Sequence, residues 1–89
     1  MNEKPSKIFH KVIRVPKEHS AFTYFILESN EGMCFYSTLE SSLGKGYRDI
    51  EIKGDLTTQE ETGHILDTLS KSYQIETLVD QVILDQRTR

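Results

Sequence analysis

The sequence predicts a single α+β domain, and three observations carry that prediction. Segments rich in β-branched and aromatic residues recur at strand length. Two intervening stretches carry apolar residues at helical spacing. The 89 residues suffice for one domain and not for two.

The first element is Lys7–Val15, read as a strand that stops at Pro16. Its faces are Phe9/Lys11/Ile13/Val15 and Ile8/His10/Val12/Arg14, and neither is wholly polar. Pro16 then suits the first position of a helix, with Glu18 in its first turn. Phe22, Phe25, Ile26 and Ser29 fall on one helical face, and Asn30 and Gly32 supply a stop. Phe22-Thr23-Tyr24-Phe25-Ile26 is also good strand material, with Ser29–Gly32 as a hairpin turn. The helix is preferred, because otherwise the connection from Val15 to Ala21 has no structure.

Met33–Leu39 reads as a strand, and Glu40–Gly46 as a loop punctuated by Gly44 and Gly46. Tyr47–Lys53 alternates, with Ile50 and Ile52 inward and Asp49, Glu51 and Lys53 toward water. Gly54-Asp55 ends it. Thr57-Thr58-Gln59-Glu60 has the spacing of a capping box, in which hydroxyl and carboxylate satisfy reciprocal free amides. Ile65, Leu66 and Leu69 form the apolar stripe of the helix that follows, extended by Thr62 and Tyr73. Gly63 interrupts that helix, with close helix–sheet approach as its expected use. The last strand, Gln74–Leu84, places Ile75, Thr77, Val79 and Ile83 on one face. Residues 1–6 and 85–89 read as polar tails around a domain spanning 7–84.

The order strand–helix–strand–strand–helix–strand is the ferredoxin-like βαββαβ sandwich, a four-stranded antiparallel sheet with two helices on one face. Its right-handed crossovers leave few other topologies. Ile8, Val12 and either Phe35 or Tyr36 are then expected on the face away from the helices. A half-apolar open face is a place to meet a second copy or another protein. Ile8, Val12, Tyr36 and Tyr47 are the expected interface residues.

The bulk properties narrow the function. A chain of this size buries roughly 60–65% of its unfolded surface, so one core is feasible at modest stability. Cys34 is the only cysteine and has no disulfide partner within the chain. With no apolar leader in the first seven residues, the lone thiol points to a reducing, cytoplasmic setting. Ala21–Leu27 is the longest near-apolar stretch, far short of the roughly 20 residues a spanning helix needs. The net charge of −3 conceals an asymmetry. Residues 1–17 hold five bases against one acid, whereas 18–89 hold six against thirteen. That acidity opposes a phosphate backbone, so nucleic acid is not the expected partner.

No chemical motif is complete. His10, His19, His64 and Cys34 lack the paired spacing of a tetrahedral metal site. Gly44-Lys45-Gly46 lacks P-loop spacing and a following helix. Lys45–Ile52 resembles the RNP1 motif of RNA-recognition domains at Lys45, Gly46, Tyr47 and Ile50. Asp49 stands where a stacking aromatic belongs, and Ile52 replaces another. The Cys-x-x-Cys of heavy-metal-associated domains and the arginine-bearing loop of acylphosphatases are both missing from Pro16–Ser20. No cofactor and no catalytic residues are therefore expected.

From about Ile8 to Leu78 the chain resembles a family of small bacterial proteins of unknown function with ACT-like, ferredoxin-type architecture. The resemblance rests on Phe25-Ile26-Leu27-Glu28, Glu31-Gly32, Ser37-Thr38-Leu39-Glu40 and the strand–helix pair that follows. It implies the same fold, pairing through sheets, and binding of amino acids or similar effectors at the first strand–helix loop. Here that loop, Val15–Ser20, lacks the Asp-x-x-Gly type turn of effector-binding members. The expected function is a non-enzymatic regulatory or interaction module that self-associates through its open sheet face or an edge strand. The alternative is effector binding, of an amino acid or a nucleotide, by Arg14, Lys17, His19 and Lys45.

Overall fold

The computed structural model describes residues 6–30 and 34–85. Four strands, β1 (Ser6–Pro16), β2 (Phe35–Thr38), β3 (Tyr47–Asp55) and β4 (Glu76–Asp85), form one sheet in the order β2-β3-β1-β4. Every neighbouring pair is antiparallel. Helices α1 (Ser20–Ser29) and α2 (Gln59–Leu69) complete the βαββαβ order, and the fold is the ferredoxin-like α+β arrangement the sequence predicts. The Ala21–Leu27 stretch is helical. Strand β1 begins one residue before the expected Lys7 and β4 ends one after the expected Leu84, with Ser6 and Asp85 paired across the two strands. Residues 1–5, 31–33 and 86–89, among them the expected helix stop at Gly32 and the expected strand start at Met33, lie outside the described residues.

Phe9, Ile13 and Val15 of β1 pack with Ile50 and Ile52 of β3, Leu27 of α1 and Leu66 of α2. The five strand residues are completely buried. Burial of side chains this size stabilises by roughly 1.5–3 kcal/mol each, which makes this layer the main support of the sheet. Tyr24, Cys34, Tyr36, Tyr73 and Ile75 close its margins.

The entry to α1 differs from expectation. Pro16 ends β1 in extended conformation, and a 3₁₀ turn at Lys17–His19 precedes the helix. The buried residues of α1 are Thr23 and Leu27, one turn apart. Phe22 and Phe25 lie outside, 50% and 64% exposed. Polar contacts set this phase. The Thr23 hydroxyl donates to the His19 carbonyl at 2.9 Å and meets the Tyr73 hydroxyl at 2.6 Å. Tyr24 stacks on Tyr36 with ring centroids 5.5 Å apart and hydrogen-bonds Thr38. At the other end Asn30 Nδ2 donates to the Ile26 carbonyl.

The start of α2 is also shifted from the expected capping box. Asp55 receives both the amide and the hydroxyl of Thr57, which holds its carboxyl below its ordinary pKa. A 3₁₀ turn at Leu56–Thr58 then leads into the helix. Thr62, Leu66 and Leu69 face the core as the stripe predicted. Gly63 plays no close-approach role, since a Cβ there would meet nothing within 4 Å.

In β4 the register shifts between Val12 and Ile13, so Val12 faces Val79 while Ile13 faces Thr77. Leu78 is the extra residue of a β-bulge. Ile75 and Thr77 therefore lie on the helix side, and Val79 and Ile83 on the open side. The single face expected for all four is divided at Leu78.

Candidate functional site

The first strand–helix connection opens beside the loop between β2 and β3. The Lys17 amide donates to the Gly46 carbonyl at 3.0 Å, tying the two together. That loop is folded around Arg48, whose Nη1 donates to the carbonyls of Ser42, Lys45 and Tyr47. Gly44 takes φ +84° in it, a conformation that favours glycine. A cleft of about 240 Å³ results, lined by Arg14, Pro16, Gly46, Tyr47, Gln74 and Glu76.

Of the four expected effector residues, Arg14 alone lines this cleft, and its charge is engaged. Nε and Nη2 reach Asp49 Oδ1 and Oδ2 at 2.8 and 3.0 Å, a bidentate pair. Those hydrogen bonds raise the arginine pKa above its ordinary value. The guanidinium also lies 3.9 Å from the centroid of the Tyr47 ring. Asp49, expected to face water, is buried beneath this pair. Lys17 and Lys45 are exposed on the flanking turns. His19 is drawn away, stacked on Tyr73 with centroids 4.4 Å apart.

The open face alternates apolar and polar rows. Ile8 faces Ile83 and Val12 faces Val79, so both expected interface residues of β1 lie here. Tyr47 lies here too, beneath Arg14. Tyr36 belongs to the other side, against the core, where its hydroxyl donates to Glu28 at 3.1 Å. Burial, and then Glu28, push its pKa up. Phe35, its neighbour, takes the open face at 76% exposure.

Between the apolar rows, Gln81 Nε2 donates to His10 Nδ1 at 2.8 Å. The ring proton must then sit on Nε2, which donates to Glu51 at 2.8 Å. The polar groups of this face thus satisfy one another across three strands. Val12, only 6% exposed, is already covered by its neighbours.

Two further apolar surfaces are present, an interhelical groove that was not expected and an edge strand of the kind that was. A groove of about 510 Å³ runs between the helices, lined by Phe22 and Ile26 on one wall and His64, Ile65 and Leu69 on the other. The second surface is the outer edge of β4. β4 is the last strand of the sheet, so among the described residues nothing pairs with that edge. Leu78, Val82 and Leu84 are 39%, 49% and 47% exposed along it. The adjacent apolar pairs Leu78-Val79 and Ile83-Leu84 were the available signal, because they break simple alternation.

Among the described residues, no three His, Cys, Asp or Glu side chains gather where they could hold a metal ion. No helix there is long and apolar enough to cross a membrane. Comparisons with protein-family models, curated proteins and solved structures found no significant match in any of the three.

Proposed function

We propose that this chain is a non-enzymatic regulatory or interaction module that works by self-association, with the outer edge of β4 as its contact. The observation that carries this reading is the run of exposed Leu78, Val82 and Leu84 on a ten-residue strand with an open edge. Unpaired backbone groups on a long apolar edge are a template for another strand. The open face is a weaker candidate, since Gln81, His10 and Glu51 are already bonded together and Arg14 is held by Asp49.

Light scattering across a micromolar concentration series tests the reading. A dimer is expected, and it should shift to monomer in Leu84→Lys, which places charge on the edge without disturbing the core. A strictly monomeric wild-type protein would overturn the reading.

The cleft at Arg14 supports a second reading, recognition of a small carboxylate or phosphate effector. Such a ligand must compete with Asp49 for the guanidinium. Thermal-shift measurements with amino acids and nucleotides address it. A ligand at 100 times its dissociation constant adds about 2.7 kcal/mol, so a flat screen counts against this reading.

A further inference from the structure

Resting on the proposed self-association, we infer that two copies join β4 to β4 antiparallel about Gln81, setting Val79 opposite Ile83 and Leu78 opposite Leu84. The partner is thus a second copy of this chain. A two-fold contact is isologous, so a strand that pairs with its own copy does so antiparallel, and residues equidistant from the centre face each other. That constraint leaves few registers within Glu76–Asp85.

Centring on Asp80 sets two carboxylates directly opposite, a destabilising arrangement. A centre at Val79 puts the bulge residue Leu78 opposite Asp80 and Glu76 opposite Val82. With Val82 as the centre the overlap shrinks to 79–85, Leu78 loses its partner and Asp80 faces Leu84. About Gln81 the overlap spans 77–85 and no two acids are opposed. Val79 and Ile83, both on the open face, then meet across the new junction, beside the Val12–Val79 and Ile8–Ile83 rows inside each sheet.

Asp80 is the remaining objection, because charges on edge strands commonly block pairing. Here Lys11 Nζ lies 3.1 Å from its Oδ1, so the carboxylate is neutralised within its own chain. In the Gln81 register it faces Val82, not another acid. The junction makes one continuous eight-stranded sheet from the two four-stranded sheets.

Cross-linking by a short bis-maleimide tests the register, in a Cys34→Ala background so that engineered thiols alone react. Gln81→Cys should cross-link at least ten-fold faster than Phe35→Cys or Leu43→Cys, both at exposed sites. Mixed Val79→Cys and Ile83→Cys proteins should form the heterodimer in preference to either homodimer, because the two copies of residue 79 stand about 13 Å apart in this register. Circular dichroism and melting temperature confirm that each variant folds. A dimer that cross-links through residue 35 or 43 in preference to 81, or equal homodimer and heterodimer yields, would overturn the register while leaving self-association standing. A monomeric wild-type protein would overturn both.

Discussion

The Thr23 hydroxyl has one hydrogen, and it goes to the His19 carbonyl at 2.9 Å. The Tyr73 hydroxyl, 2.6 Å away, must therefore donate to Thr23 Oγ. Thr23 is completely buried, so its oxygen is held in place by the two partners that satisfy it. Thr23→Val keeps the shape and removes both bonds. The expected loss is about 1 kcal/mol, and Tyr73→Phe should cost a similar amount. The double variant should lose less than the sum of the two, as chemical denaturation of the four proteins will show. Cys34 gives a second expectation at this scale. Burial pushes its thiol pKa up, because the thiolate loses solvation. For a group raised in the folded state, the stabilising contribution is intact below the unfolded pKa and is lost as pH rises through the folded one. Cys34 should react slowly with a disulfide reagent at neutral pH, and Cys34→Ala should lessen the alkaline loss of stability.

Two glycines separate backbone need from backbone cost at the level of elements. Gly44 sits at φ +84° in the β2–β3 loop, so Gly44→Ala is strained and should destabilise by about 1 kcal/mol. Gly63 lies inside α2 with open space around its Cβ position, so Gly63→Ala should stabilise by about 0.5–1 kcal/mol. Thermal melts of the pair decide whether the signs are opposite. The start of α2 adds a pH test. Asp55 is depressed by its bonds from Thr57, so its contribution is present above the unfolded carboxyl pKa and is lost as pH falls through the folded value. Asp55→Asn should lower the melting temperature at pH 7, with the gap to wild type narrowing in acid.

These elements also show what was legible in the chain. Ile50 and Ile52 were readable because strict alternation assigns a face to each residue, and Leu66 and Leu69 because an i, i+3 stripe does so for a helix. The phase of α1 was not, since Phe22 and Phe25 outweigh Thr23 in hydrophobicity while Thr23 has the better-placed partners. Arg14–Asp49 was hidden for another reason. The pairing joins positions 35 apart and depends on the β1–β3 register, which neither strand encodes alone.

For the whole molecule, the fold is one sheet with a helical layer on one side and, on the other, a face whose apolar rows flank an internally bonded polar one. Removing a central strand residue should therefore weaken the entire domain. Ile13→Ala, at a completely buried site, is expected to cost about 3 kcal/mol in cooperative unfolding. The proposed self-association would couple this stability to mass action. The melting temperature should rise with protein concentration and lose that dependence in Leu84→Lys, a difference that calorimetry reads directly.

Leu78 lets β4 be read in two frames. Residues before the bulge count from the core, and residues after it count from the open face. Substitutions at 78 change only a half-exposed side chain, and deleting the residue would leave Thr77 opposite Ile13 and Val79 opposite Val12 in a regular ladder. Deleting a paired residue such as Val82 would instead slip the register, and a one-residue slip reverses every side chain beyond it. Position 78 should thus accept most amino acids and tolerate a deletion better than its neighbours in the strand.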